Sequence, residues 1–358
     1  MKTLTVSLPG REYDIQIERG LLDKAGAQCR KVMPKATKLA VVTDSNVAPL
    51  YAGRVLDSLT AAGFEAKLFT VPAGEASKCV ERLNGLWESF LQFGLTRSDG
   101  VVALGGGVVG DLAGFAAATT LRGVDYVQIP TTILSQVDSS VGGKVAIDLK
   151  AGTNLAGAFW QPRLVLMDPD VLDTLTDRVF SDGMAEVIKC GCIRDDAFFD
   201  LLEANPSRAQ VMEHIDEVLL TCCDLKRQVV EADERDTGER MTLNFGHTLG
   251  HAYELAYHYE TYTHGEGVAA GMIAAARLGE HLGVTPAGTG ERIAALLTKF
   301  NLPIRIDCSM EDYAAAIGRD KKSAGKNISL ILLEEMGNAV IRKMPREELF
   351  GYMETLAL

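Results

Sequence analysis

Gly100-Val101-Val102-Ala103-Leu104-Gly105-Gly106-Gly107-Val108-Val109-Gly110-Asp111 is a short β-branched run that drops into three glycines and then into an apolar stretch from Leu112. A strand, a glycine turn and a helix in succession put unpaired N–H groups and the positive end of a helix dipole at the turn. Without Cβ atoms there, a pyrophosphate can approach the backbone. The string satisfies GxGxxG, but it follows the third or fourth strand, and no acidic residue closes a strand about 20 residues later, so it is not a standard dinucleotide fingerprint. Asp44, at the end of an earlier strand, is the alternative partner for ribose hydroxyls. The competing interpretation is a glycine turn that serves only helix–strand packing.

Outward from this turn, Lys38–Asp44 (KLAVVTD), Ala66–Val71, Tyr126–Pro130 and Leu164–Asp168 (LVLMD) repeat the β-branched pattern of Gly100–Leu104 between amphipathic stretches. That alternation predicts a parallel sheet covered by helices. Thr3–Leu8 and Glu12–Glu18 alternate in period two around Pro9-Gly10, which predicts a hairpin at the sheet edge. From Arg178 onward Ala, Leu, Glu and Met dominate at helical spacing, with Ile328–Leu333 (ISLILL) as a lone strand candidate. The expected organisation is an α/β domain over residues 1–177 and a mostly α-helical domain over 178–358, closely packed with a cleft between them.

Composition narrows the partners. The 358 residues carry 36 Lys and Arg against 48 Asp and Glu, a formal charge of −12, with 47% hydrophobic and 23% charged residues. An acid surplus without a Lys/Arg stripe argues against nucleic acid, while a few cations gathered in one pocket still accommodate a small anion. MKTLTVSLPG has no apolar core after its lysine, and the longest bland stretch, Gly267–Ala276, is short of the ~20 residues that span a bilayer. A cytoplasmic protein with no membrane partner is expected. Cys29, Cys79, Cys190, Cys192, Cys222, Cys223 and Cys308 are odd in number and lack CxxC spacing, so they read as thiols rather than disulfides or a zinc ribbon.

Three further segments carry chemistry. Ile129–Leu149 (IPTTILSQVDSSVGGKVAIDL) runs a strand into Thr131-Thr132, then Ser135, Asp138, Ser139 and Ser140, then Gly142-Gly143-Lys144, a supply of hydroxyls and one cation for phosphate or ribose unless it is only a solvated loop. Glu186, His247, His251 and His264 are metal-like, since neutral imidazoles plus one carboxylate leave a catalytic zinc site open to substrate. Spacing permits His247 with His251, or one of them with His264 and Glu186; His214, His258 and His281 read as ordinary core or surface histidines. Lys144, Lys189, Lys226, Arg240 and the pair Lys321-Lys322 are the cations near these groups, and Glu186 and Lys189, three apart, share a helix face.

GGGVVGDLAGF, PTTILSQVDSSVGGK, GAFWQP, MAEVIKCG, LNFGHTLGHAYE and HGEGVAAGM, in this order and spacing, resemble the 3-dehydroquinate synthase family of the sugar phosphate cyclases over about Tyr13 to Glu348. The resemblance implies an N-terminal Rossmann-like α/β domain, a C-terminal α-helical domain and a homodimer. NAD would be held by Asp44, by Ala73-Gly74-Glu75-Ala76-Ser77-Lys78, by Gly106, Gly107, Val108, Val109, Gly110 and Asp111, by Thr131 and Thr132, and near Lys144, Thr153 and Thr174. It implies Glu186, His247 and His264 as ligands of zinc or cobalt, and His251 as a pocket residue. Asp138, Lys144, Asn154, Lys189, Lys226, Arg240, Asn244, His251 and Lys321 or Lys322 match the substrate pocket. One departure is Thr153, where the family has lysine in a GKN segment, which puts one NAD or phosphate contact in doubt.

The implied reaction belongs to the shikimate route to aromatic amino acids. It turns 3-deoxy-D-arabino-heptulosonate 7-phosphate into 3-dehydroquinate and phosphate through transient oxidation by NAD, β-elimination of phosphate, re-reduction, ring opening and an intramolecular aldol closure. Competing expectations are another sugar phosphate cyclase and a metal-dependent polyol dehydrogenase of the glycerol dehydrogenase type. The many anion-binding residues favour a small anionic sugar phosphate as the substrate.

Overall fold

The computed structural model describes residues 1–236, 238–257, 261–309, 311–313 and 327–356. They form two compact units, Met1–Leu175 with Cys222–Arg235, and Thr176–Thr221 with Asp236–Leu358. A single cut after residue 177 therefore does not describe the packing, because Cys222–Arg235 groups with the first unit.

In the first unit the strands are β1 (Lys2–Val6), β2 (Tyr13–Ile17), β3 (Lys38–Asp44), β4 (Glu65–Val71), β5 (Gly100–Gly105), β6 (Asp125–Pro130), β7 (Lys144–Leu149), β8 (Gly152–Phe159) and β9 (Leu164–Met167). Seven of them make one sheet in the order β1-β2-β9-β6-β5-β3-β4. The anticipated edge hairpin is there: β1 pairs antiparallel with β2, and β2 joins the parallel strands through β9. Every residue of β5 and β9 is buried, as expected for central parallel strands covered on both faces. The helices are α1 (Ala25–Val32), α2 (Gly53–Ala61), α3 (Val80–Phe93) and α4 (Gly107–Thr119).

The solvated-loop interpretation of Ile129–Leu149 does not hold. After β6 the chain makes a short helical turn at Ser135–Ser139 and enters β7, which pairs antiparallel with β8. Val145 of β7 packs with Val109, Leu112, Ala113 and Ala116 of α4, and a Cβ on Gly114 would stand 2.4 Å from Val145. Burial of those valines and alanines, rather than strand propensity alone, holds this ribbon in place.

The second unit contains α5 (Asp177–Arg194), α6 (Asp196–Ala204), α7 (Arg208–Glu213) and the start of α8 (Ile215–Ala232). It continues with α9 (His247–Ala256), α10 (His264–His281), α11 (Thr289–Lys299), β10 (Asn327–Glu335), β11 (Asn338–Pro345) and α12 (Arg346–Leu356). The Thr176 hydroxyl caps α5, and Thr263 with Glu266 forms a reciprocal capping box on α10. ISLILL lies within β10, but it is not a lone strand: it pairs antiparallel with β11. The partner escaped the sequence reading because Arg342 and Lys343 face solvent and mask its alternation. Among the described residues no helix is long and apolar enough to cross a membrane.

Candidate active site

In the first unit the glycine string divides into two tasks. A Cβ on Gly105 would meet Val109 at 2.7 Å, and one on Gly110 would meet Gln128 Oε1 at 2.8 Å, so these two allow helix and sheet to pack. Gly106 and Gly107 instead line the turn, with Thr132 Cγ2 at 3.3 Å and Ser139 Oγ at 3.1 Å from their would-be Cβ atoms. Gly106 is the N-cap of α4 and brings no side chain to cap it. Beside them, Thr131 Oγ1 is buried without a hydrogen-bond partner among the described residues, while Thr132 exchanges hydrogen bonds with Ser135. Val108 is half-buried and Val109 buried in the core.

Other expected residues are already engaged. Asp44 Oδ1 accepts the N–H groups of Asn46 and Val47 at 2.8 and 3.0 Å, so one carboxylate oxygen shapes the turn after β3. Thr174 Oγ1 lies 2.5 Å from the Tyr51 hydroxyl and donates to Val171. In the Ala73–Lys78 segment, Gly74, Glu75 and Ala76 are exposed, Ser77 and Lys78 buried. Lys78 Nζ reaches Glu75 and Asp111 at 3.0 Å each and donates to Asn154 Oδ1 at 2.7 Å. Burial pulls the Lys78 ammonium toward neutrality, but the carboxylates of Asp111 and Glu75 more than offset it and raise its pKa. Burial also pushes Asp111 up to about 6 against the attraction of Lys78.

Asn154 sits at φ +53°, with its N–H on Asp148, and half-buried Thr153 precedes it in β8. Lys226, nearly buried, forms an ion pair with Asp138 Oδ1 at 2.8 Å and also donates to the Asp138 carbonyl. Lys144 opens β7 and is exposed.

In the second unit Glu186 and Lys189 lie on α5, His247 and His251 on α9, and His264 opens α10. Glycines bring these helices together. A Cβ on Gly250 would stand 2.9 Å from the Gly267 carbonyl oxygen, and one on Gly265 would stand 2.0 Å from the Asp182 carbonyl oxygen. Asp182 Oδ1 accepts the Gly265 N–H at 2.6 Å and pins the start of α10 to α5.

The Nε2 atoms of His247 and His264 consequently lie 3.6 and 3.5 Å from Glu186 Oε1. Potential ligand atoms of these three residues all fall within 4.8 Å of one another. Both Glu186 oxygens are buried, and Lys189 forms an ion pair with Oε2. Burial opposes the Glu186 charge, yet Lys189, His264 and His247 hold its pKa well below the ordinary carboxylate range. His247 is driven well down by burial and by Lys189, which favours the neutral imidazole, whereas Glu254 and Glu186 overcome burial and raise His264 well above the usual histidine value.

His251 is 57% exposed and faces Glu254 Oε2 at 3.9 Å; with Glu254 and His264 it makes a second metal-sized group. Arg240 is buried in the 3-10 turn Glu239–Asn244, and Asn244 at the end of that turn donates to the Met241 carbonyl. Lys321, Lys322 and His258 lie outside the described residues. Sequence reasoning missed Glu254, Asp182 and the glycine pairs Gly246/Gly250 and Gly267/Gly271. The signal was present as small residues four apart beside each histidine.

With a parallel α/β unit carrying a glycine turn and a helical unit gathering one carboxylate and two imidazoles, the chain has the fold of the solved sugar phosphate cyclases. A 2-deoxy-scyllo-inosose synthase solved with carbaglucose-6-phosphate, NAD+ and Co2+ matches with TM-score 0.89 at 24% identity, covering 98% of this chain and 99% of that one. A 2-epi-5-epi-valiolone synthase from Streptomyces hygroscopicus with NAD+ and Zn2+ bound matches with TM-score 0.85 at 26% identity over 96% of both chains. Residues 68–182 match the 3-dehydroquinate synthase N-terminal family and 183–323 the C-terminal family. The 3-dehydroquinate synthase of Clostridium beijerinckii is 47% identical over 345 residues, 96% of this chain and 98% of the relative. The chain belongs to the 3-dehydroquinate synthase family.

Proposed function

We propose that this chain converts 3-deoxy-D-arabino-heptulosonate 7-phosphate to 3-dehydroquinate and phosphate, using NAD and a divalent metal, zinc or cobalt. The observation that carries the reading is near-full-length similarity, at 47% identity, to a 3-dehydroquinate synthase together with the convergence of Glu186, His247 and His264. The residues present fit both groups. Two imidazole Nε2 atoms converging on one oxygen of a buried carboxylate suit a metal, with Glu186, His247 and His264 as ligands. An uncapped helix start over Gly106 and Gly107 beside the partnerless Thr131 hydroxyl suits a dinucleotide.

The metal, held by Glu186, His247 and His264, would supply Lewis-acid polarisation of a substrate hydroxyl, and NAD would supply reversible hydride exchange with no net redox change. The protein's own part is to hold charges and hydroxyls. Lys189, buried against Glu186, keeps that carboxylate ionised. Lys226 and Arg240 are cations held in place before an anion arrives, so little reorganisation is needed on binding. With Lys144 and Lys321 or Lys322 they would face the carboxylate and phosphate of the substrate. Asn154, Asn244 and exposed His251 would orient hydroxyls or carry protons, and Asp138 would hold Lys226. Asp44, Ala73–Lys78, Gly106, Gly107, Val108, Asp111, Thr131, Thr132, Thr153 and Thr174 would hold NAD, while Val109 and Gly110, buried in packing, would not touch it. A cytoplasmic homodimer is proposed on the same resemblance.

The test supplies the heptulosonate phosphate with catalytic NAD and zinc and follows phosphate and NADH together. Phosphate release without NADH accumulation, abolished by a chelator, is expected. Stoichiometric NADH from an unphosphorylated polyol would establish a dehydrogenase instead.

A further inference from the structure

We propose that Glu254 is a positioning residue of the metal centre, which selects the nitrogen His264 presents. The inference rests on the metal reading above and deepens it. His264 Nδ1 lies 2.9 Å from Glu254 Oε1, and its Nε2 lies 3.5 Å from Glu186 Oε1, so the two ring nitrogens face two different carboxylates. A histidine needs such an anchor when packing does not fix its ring. The His264 side chain is 32% exposed, whereas His247 is only 13% exposed and sets its own Nδ1 3.2 Å from the Phe245 carbonyl oxygen. Rotation of the His264 ring by half a turn would put Cδ2 and Cε1 where Nδ1 and Nε2 now stand, and so withdraw both nitrogens from the two carboxylates. The buried carboxylate opposes this by accepting the Nδ1–H, and its negative charge raises the basicity of Nε2.

The placement follows from helix geometry. His247, His251 and Glu254 stand at i, i+4 and i+7 on α9, and so share one face. Asp182 fixes the other side by accepting the Gly265 N–H, so the His264 backbone and its ring are each held by one carboxylate. Engagement of Nδ1 by Glu254 also removes His264 from the alternative group with His251, which would need the same residues as direct ligands.

The experiment uses the full chain with Glu254→Gln and Glu254→Ala. Zinc affinity is read by chelator competition, the cobalt form by its visible spectrum, and the zinc form by ring-nitrogen NMR of histidine. The expected result is a zinc affinity roughly 10–100-fold weaker in Glu254→Ala and a smaller loss in Glu254→Gln, whose amide oxygen still accepts without charge. Wild-type His264 should show metal on Nε2 and a proton on Nδ1. Should Glu254→Ala fail to fold, the isosteric Glu254→Gln and the wild-type NMR still decide. Metal on Nδ1, or affinity unchanged in Glu254→Gln and Glu254→Ala while His264→Ala loses zinc, would overturn the inference alone. A cobalt spectrum in Glu254→Gln showing one ligand fewer would make Glu254 a ligand and also overturn it. If Glu186→Gln and His247→Ala bind zinc like wild type, the metal reading itself falls and takes this inference with it.

Discussion

A Cβ added to Gly271 would stand 2.0 Å from the carbonyl oxygen of Gly246, so the backbones of α10 and the start of α9 touch beside the histidine cluster. Gly271→Ala must push the helices apart. The expected cost is about 1–3 kcal/mol of stability from overpacking, with weaker zinc binding because His247 and His264 separate. Urea unfolding and chelator competition on the same preparation check both, and a variant as stable as wild type with full zinc affinity would refute the close-approach argument.

The proposed ligand set separates His251 from its neighbours, although His247 and His251 lie one helical turn apart. His251 is 57% exposed, whereas Glu186 is buried and receives both Nε2 atoms. His264→Ala and Glu186→Gln should be purified without stoichiometric metal, and His251→Ala should retain it. Elemental analysis decides, and the reverse pattern would move the site to the other group.

Lys78 is the buried cation that pairs with the half-buried carboxylate of Asp111 at 3.0 Å. Lys78→Met leaves that charge uncompensated, with an expected loss of about 3–5 kcal/mol near neutral pH. Asp111 has a folded pKa of about 6, above its ordinary 3.8, so the native state binds the proton more tightly. Its favourable contribution is present below about pH 4 and lost as pH rises through 6. The deficit of Lys78→Met should therefore shrink on acidification across that window, as measured by denaturant titration at a series of pH values.

Asp99 joins β3 to β5 at their starts. Its carboxylate accepts the N–H and hydroxyl of Thr37, the N–H of Lys38, and the N–H and hydroxyl of Thr96. Burial opposes its charge, but these donors lower its pKa below 3.8. A depressed carboxylate stabilises the fold above its unfolded value and loses that contribution as pH falls through the folded one. Asp99→Ala should cost on the order of 3 kcal/mol at neutral pH by stranding donors. Asp99→Asn should unfold with a flatter acid dependence below pH ~4. Acid titrations followed by circular dichroism test both.

Much of this was legible from one-dimensional patterns. KLAVVTD coincides with β3, and GVVAL opens β5, because central parallel strands are continuous β-branched runs whatever their neighbours. The metal-like residues stood out as a histidine-rich stretch, but spacing along α9 favoured His247 with His251 as readily as His247 with His264. β11 and the β7–β8 ribbon were obscure although each strand pairs with its neighbour in the chain, because exposed Arg342, Lys343, Lys144 and Asn154 interrupt their apolar alternation.

Periodicity and motif order were enough for the parallel sheet, its edge hairpin, the helical second half and the family, since those depend on local spacing and residue type. Contacts between helices settled which nitrogen faces which carboxylate, which glycines serve packing and which line a turn, and how Lys78 comes to bond Asn154. Those depend on distances between residues far apart in the chain. The glycines at 246, 250, 267 and 271 show the difference: their spacing is visible in the sequence, but only packed helices reveal that a single methyl group there has no room.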